Sequence, residues 1–553
     1  MTAGRRPLAA WGAILVAGLL AIPIAVIAAH VLLPGEGAWQ HVAQTLLGTY
    51  VGNTLLLALG TGTGVFLLGL GSAWLVASYR FPLHKTWEWA LVLPLAFPGY
   101  VIAYAYTDFL QVSGPVQTWI REATGLAARD YWFPPIRSLG GAVVLLSLVL
   151  YPYVYLLARA TLIRQSAGML DAARSLGCTR AQAFRRVALP MARPALASGV
   201  ALALMETLAD FGTVSYFGVP VLTTGIYRAW FSLGDPVAAA KLSAALLAGV
   251  LLLLLLELRS RGKMRFTDDS GAEAEPVELT GWRGLLASAA CAVPVILGFL
   301  LPAGILLQRS LTSGTGLGPR YLELLTNTLG LAFFASALVV GAALIVAYGR
   351  RLDPAWAVRA AHRTAGLGYA VPGSVVAVGV LIPLAFVDHS VLMWLQEQLG
   401  QTPALVLTGS VAGLLYAYLV RFLSVALQTL DAGLARITPS MDAAARSLGA
   451  TPGGVLKRVH APILRPAIFT AALIVFVEIM KELPATVILR PFNFETLAVY
   501  TYHLAADERL TEAATPALTI VLAGLIPVVI LSRQITRRTP SRRSLSRTVA
   551  VPA

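Results

Sequence analysis

Asp171-Ala-Ala-Arg-Ser-Leu-Gly177, running on through Val187-Ala-Leu-Pro190 to Arg193-Pro194, decides the fold, because the chain contains it twice. At a fixed offset further on, Ala443-Ala-Ala-Arg-Ser-Leu-Gly449 runs through Val459-His-Ala-Pro462 to Arg465-Pro466. Both copies are hydrophilic, and both lie between long apolar runs. The repetition extends outward. Asn53-Thr54 recurs as Asn327-Thr328, and Pro98-Gly99 as Pro372-Gly373. Glu206 recurs as Glu478, and Asp210 as Glu482. The chain is one unit written twice.

Composition places that unit in a membrane. Of 553 residues, 57% are hydrophobic and 12% charged, about half the charge of a soluble domain. Spanning the hydrocarbon takes about 20 apolar residues per helix. Twelve such runs are present, near 10–33, 51–78, 87–108, 138–158, 195–218, 236–257, 284–307, 326–348, 364–386, 405–428, 467–489 and 514–532. An outer-membrane barrel shows short alternating segments instead. The expected fold is an all-α membrane protein with twelve transmembrane helices in two homologous six-helix halves. Residues 1–257 form the first half, 258–283 a flexible cytoplasmic linker, 284–532 the second half and 533–553 a basic tail. The first apolar run reads as a retained helix rather than a cleaved signal.

Net charge is +15, but its distribution points to lipid and not to nucleic acid. With an inside N-terminus, marked by Arg5 and Arg6, most of the 42 Lys and Arg fall in inner segments, as the positive-inside rule requires. The basic tail from Arg533 to Arg547 suits an anionic inner leaflet. Cys178 and Cys291 fall on different elements and suggest neither a disulfide nor a metal pair.

The repeated loops, 164–194 and 436–466, read as short rigid helices. Gly177 and Gly449 supply the left-handed turn that ends one helix and aims the next. Thr179 and Gln182 have capping-box spacing, and Thr451 with Pro452 opens the second helix. Phe184 and Leu456 occupy matching apolar positions, followed by Arg186 and Arg458. Pro190 and Pro462 are expected to stop the element, and Pro194 and Pro466 to open the next membrane helix. An ordinary re-entry loop explains one such segment, not two in register.

Both loops resemble the EAA signature of binding-protein-dependent ABC importer permeases: Glu-Ala-Ala, then Gly, then Ile-x-Leu-Pro. Here Asp171-Ala172-Ala173 stands for Glu-Ala-Ala. In the second copy Ala443 takes the acidic position, Asp442 lies one residue early and is followed by Ala443 and Ala444, and Ala461 replaces Leu. The resemblance implies a type I importer permease whose two loops each insert a coupling helix into one of two ABC ATPase subunits. No phosphate-binding Gly-x-x-x-x-Gly-Lys-Ser/Thr occurs, so ATP and Mg belong to that separate ATPase. This chain is expected to be no enzyme and to bind no cofactor. Met205-Glu-Thr-Leu-Ala-Asp-Phe-Gly212, and Lys481-Glu-Leu-Pro-Ala-Thr486 with Arg490-Pro-Phe-Asn-Phe-Glu-Thr496, are similar to ferric-iron importer permeases. That implies a periplasmic solute-binding protein as partner and the bacterial inner membrane as location. Permeases for thiamine, polyamines and phosphonates are broadly similar.

Glu206, Asp210, Glu478 and Glu482 are the candidate path residues. Glu206 lies about 18 Å along a helix from Pro194, and Asp210 is expected one turn further on the same face. Buried charges of this kind mark a pathway and face the bundle interior. Oxygen donors suit a hard cation. A structural network neutralised by Lys481 and by hydroxyls such as Thr207 is the other reading. His30, His362, His389 and His460 have no ligand spacing. Trp132-Phe-Pro-Pro135 and Trp394 read as interface aromatics, with contact to a solute-binding protein as the other reading. A secondary transporter would share the repeats and buried charge, but would not need two matching coupling loops.

The charge bias requires both termini in the cytoplasm. A reporter fused after Arg547 is expected to be active only as a cytoplasmic reporter; periplasmic activity from that fusion would overturn the orientation.

Overall fold

The computed structural model describes residues 7–35, 37–164, 173, 175–261, 276–312 and 318–537. Asp171, Ala172, most of the linker and the tail beyond Arg537 lie outside them. Twelve principal helices carry the fold. The first half holds α1 (Leu8–Val31), α2 (Leu47–Ser78), α3 (Gly99–Leu110), α4 (Leu139–Arg164), α5 (Leu189–Ala209) and α6 (Pro236–Arg261). The second holds α7 (Gly281–Thr312, through a π-helical turn), α8 (Pro319–Leu352), α9 (Gly373–Val387), α10 (Val411–Leu434), α11 (Ala461–Met480) and α12 (Leu510–Arg537). Each helix in the first half has its counterpart six places later.

Eleven helical segments among the described residues are long and apolar enough to cross a bilayer. The twelfth expected span is broken: His84–Ala96 and Gly99–Thr124 meet at 92°. Pro98 disfavours helical geometry in the residue before it, and Phe97 is extended there, with ψ 123°. A Cβ on Gly99 would stand 2.8 Å from Thr213 Oγ1 and 3.1 Å from Asp210 Oδ2. The repeated Pro-Gly thus lets a chain break press against an acid.

The halves are interlocked, not side by side. α1 packs on α8, on α9 and on Trp356–Ala365, all in the second half. Small residues allow it: a Cβ on Gly349 would meet Ala9 O at 2.6 Å, and one on Gly379 would meet Pro23 O at 2.7 Å, close approach being the source of helix affinity in lipid. In return α7 packs on His84–Ala90, on α3 and on α4. Tyr106 donates to Leu297 O at 2.7 Å, Trp87 to Ser288 at 2.8 Å, and Arg309 pairs with Asp108 at 2.7 Å. Linker residues Val277–Glu278 pair as a parallel strand with Tyr79–Arg80, so this end of the expected flexible connector is anchored.

The repeated Asn-Thr has one structural job in both halves. Asn53 donates to Pro220 O at 2.9 Å, and Asn327 to Glu495 O at 3.3 Å. Thr54 accepts from the Leu222 backbone at 3.0 Å, and Thr328 from the Leu497 backbone at 2.9 Å. These are N–H groups at the starts of Leu222–Tyr227 and Leu497–Ala506, where no intrahelical acceptor exists. Thr328→Val keeps the shape and deletes the acceptor. It is expected to cost about 1–3 kcal/mol, read as a lowered thermal midpoint of the purified protein.

Candidate functional site

Over their described residues, the two repeated loops share backbone features. Gly177 has φ +87° and Gly449 φ +79°, a region that glycine enters without steric cost. Cys178 N–H donates to Ala173 O and Ala450 N–H to Ala445 O, each at 3.0 Å, closing the end of the preceding helix. Gln182 accepts from Thr179 N–H at 2.9 Å while Thr179 accepts from Gln182 N–H at 3.3 Å, the reciprocal capping expected there. Thr451 accepts from Gly454 N–H at 3.2 Å.

The exit from each loop differs from expectation. Arg180–Ala183 and Pro452–Val455 do not stop at a proline. Each passes through a π-helical turn, Phe184–Ala188 or Leu456–His460, directly into α5 or α11. Pro190 and Pro462 sit in the first turn of those helices, and Pro194 and Pro466 lie inside them. A proline in a continuous helix removes a hydrogen bond and crowds the carbonyl four residues back. Widening that turn relieves the clash, so each short loop helix runs on into its membrane helix without a break.

Phe184 turns inward onto Trp74 of α2, with ring centroids 4.0 Å apart, and Ala173 is buried. Leu456 is 38% exposed, and Arg186, Arg458 and Ala444 are exposed. Sequence reasoning missed Leu176 and Leu448, which occupy the position before each glycine and are 86% and 87% exposed. Their signal was available: the same leucine stands at the same place in both hydrophilic loops.

Asp442 pins the second loop. It accepts from Arg351 at the end of α8 at 2.8 Å and pairs with His460 at 2.7 Å. His460 in turn meets Tyr348 at 3.1 Å. Tyr348 and His460 correspond to Trp74 and Ala188, so one loop is held by aromatic packing and the other by charge. Burial alone would raise the Asp442 carboxyl. The hydrogen bonds from His460 and Arg351, with the Arg351 charge, outweigh it and hold the group below the ordinary carboxylate range.

The second region lies where the halves touch. α5 ends at Ala209 and α11 at Met480. Asp210 therefore does not continue the helical face of Glu206, and Glu482 likewise lies past the end of α11. Both acids cap the short helix that follows. Asp210 accepts from the Thr213 and Val214 backbone at 3.1 and 3.2 Å and from the Thr213 hydroxyl at 2.9 Å. Glu482 accepts from the Ala485 and Thr486 backbone at 2.8 and 3.0 Å, and also from the Thr486 hydroxyl and from Arg421. A backbone that breaks inside a membrane must find such partners.

Glu206 and Glu478 remain on α5 and α11, both half-buried. Glu478 pairs with Lys481 at 2.8 Å. The Thr207 hydroxyl donates to Ala203 O of its own helix. Phe211 stacks on Tyr227 of its own half at 3.5 Å and stands 5.6 Å from Tyr502 of the other. Tyr227 donates to Pro484 O, and Tyr100 to Lys481 O at 3.4 Å. A Cβ on Gly212 would meet Leu483 at 2.8 Å. Among the described residues, no group of three or more His, Cys, Asp or Glu is arranged to hold a metal ion.

The depressed Asp442 carboxyl gives a signed prediction. Its contribution is full above the ordinary aspartate value, about 3.9, and is lost as pH falls through the lower folded value. Asp442→Asn is expected to lower stability at pH 7 by about 1–3 kcal/mol, and the difference from wild type is expected to shrink on acidification, measured by thermal unfolding across pH.

Comparison with known proteins fits this architecture. Residues 4–261 match the family described as binding-protein-dependent transport system inner membrane component. The Fe(3+)-transport system permease protein FbpB 2 of Haemophilus influenzae is 26% identical over 492 residues, spanning 87% of this chain and 89% of that protein. The ferric transport system permease protein FbpB of Actinobacillus pleuropneumoniae is 23% identical, over 75% of this chain and 61% of that one. The sulfate transport system permease protein CysT of Escherichia coli is 29% identical, over 39% of this chain and 75% of that one. With its duplicated loops, paired helix breaks and matching length, the chain belongs to the binding-protein-dependent permeases of ABC importers, with two halves of the membrane channel fused in one multi-pass inner-membrane protein.

Proposed function

We propose that the cargo is ferric iron, delivered by a periplasmic binding protein, and that two copies of a cytoplasmic ABC ATPase drive its passage. The coupling loops and both termini face the cytoplasm in this reading, as the basic bias supports. Loops 164–194 and 436–466 dock the ATPase through their exposed side chains: Leu176 and Arg186 in the first, and Ala444, Leu448, Leu456 and Arg458 in the second. ATP binding moves the two loops together, and the halves rock about the central break.

One observation carries the cargo assignment. Glu206 and Glu478, one from each half, are half-buried acids one turn before the break at which the halves meet. Asp210 and Glu482 each hold two backbone N–H groups of a broken segment, whereas Glu206 and Glu478 stand on the regular helices that lead to the break, so we assign the path to the first pair. Carboxylate oxygens suit a hard trivalent cation, and two relatives are named as ferric permeases. The sulfate relative supplies a second reading, an oxyanion held by Lys481 and Arg421. Each of these cations is already paired with an acid, at 2.8 and 3.1 Å. Their first-half counterparts are Ala209 and Val149. The balance of charge along the two helices therefore favours a cation.

Glu206→Gln with Glu478→Gln, assayed as uptake of radiolabelled ferric iron, is expected to cut transport about tenfold or more, the loss of a charge-assisted contact of roughly 1.5–3 kcal/mol. ATPase binding is expected to persist, because the coupling loops are untouched. Normal iron uptake with a lowered thermal midpoint would sink the path assignment, and retained sulfate uptake would favour the oxyanion.

A further inference from the structure

One of the places where the two halves differ follows the central breaks. Before this place the halves keep the register that pairs Asp210 with Glu482; after it the register pairs Leu222 with Leu497, and is longer by three. Three extra residues therefore separate Pro484–Leu489 from Leu497–Ala506 in the second half. They form a tight turn, closed by Phe494 N–H donating to Pro491 O at 3.1 Å. At its tip Phe492 is 93% exposed, more than any other large apolar side chain among the described residues.

The turn is braced. Arg490 donates to Phe492 O at 3.4 Å and to Phe494 O at 3.3 Å. Glu495 holds Arg320 of α8 at 2.5 Å, and its carbonyl takes Asn327. Phe494 packs back on the core. Arg320 also fixes the depth of the turn. It stands in the first turn of the continuous helix α8, and Arg351, which bonds Asp442 in the coupling loop, stands in the last. The helix between them is about 46 Å long, against a hydrocarbon core of about 30 Å. Phe492 therefore stands beyond the hydrocarbon, on the side opposite the ATPase loops, and its collar of Arg320, Arg490 and Glu495 marks an aqueous setting.

An aromatic ring held out into water by a rigid, charge-braced turn has the properties of an interface anchor. It buries a large area on contact, and little freedom remains to be lost. We propose that Pro491–Phe494 is a prong that seats Phe492 in an apolar pocket of the periplasmic binding protein. This rests on the reading of the chain as a binding-protein-fed permease. The matching turn of the first half, Gly218–Pro220, has no such tip, so the prong breaks the two-fold likeness of the outer face and selects one docking orientation.

The test uses the complex with its ATPase in proteoliposomes, titrated with the iron-loaded binding protein that sustains uptake by the wild-type complex. Phe492→Ala is expected to leave basal ATP hydrolysis unchanged and to raise the half-saturating concentration of binding protein about tenfold. Unchanged half-saturation overturns the proposal while leaving the permease reading intact. A wild-type complex that no binding protein stimulates overturns both. In Phe492→Trp, a fluorescence blue shift on adding binding protein supports the prong. Quenching by brominated lipid in its absence shows a membrane contact instead, and overturns it.

Discussion

The structure depends on how it tolerates broken backbone inside a membrane. In hydrocarbon every unpaired N–H costs several kcal/mol, yet α5 and α11 both end within the bundle. Asp210 and Glu482 make this possible by accepting two backbone N–H groups each, at 2.8–3.2 Å. The Pro-Gly breaks at 98–99 and 372–373 then press directly on these carboxylates. An acid, a glycine and a short helix thus form one unit, present in each half. Without the caps there is no irregular segment for the halves to share, and no central contact between Gly212 and Leu483.

Above that unit lies the interlock. α1 belongs by sequence to the first half but packs chiefly on the second, while α7 is shared between α12 of its own half and several elements of the first. The apolar cores follow the exchange: Ala10, Ala13 and Leu20 cluster with Val339, Val375 and Leu423, whereas Cys291 and Val295 cluster with Tyr151 and Tyr155. The packed cores are therefore not the two sequence halves. Each core mixes elements of both halves: α6 joins α1 in the cluster of Val375 and Leu423, and α12 joins α7 in the cluster of Tyr151 and Tyr155. α5 runs between the two cores, with Ala192 and Leu196 in one and Met205 and Leu208 in the other.

Much of this was legible in the residues. The repeat announced two equivalent halves, and Gly177, Gly449 and the Thr179–Gln182 pair announced the loop geometry, because these features are local and have one backbone solution. The breaks were misjudged because Asp210 and Glu482 sit at helical spacing from Glu206 and Glu478, and periodicity cannot tell the last residue of a helix from the cap of the next. Pro190 and Pro462 read as stops because a proline within a helix is costly; the π-helical turn that accommodates them is a tertiary compromise with no sequence signature. The exchange of α1 and α7 was invisible, since a uniformly apolar helix carries no mark of which neighbour it prefers.

The interlock also has a temporal side. α1 ends at Val31, but its principal partner α8 begins only at Pro319 and is made later. At about 5–20 residues per second of synthesis, the opening helix waits roughly 15–60 s in the bilayer before the surface it fits exists. During that interval Ala10, Ala13 and Gly12 face lipid or a provisional neighbour. A chain that carries both halves keeps that first helix tethered to the segment that will receive it. Halves made as separate polypeptides would have to find each other by diffusion while each was still missing a wall.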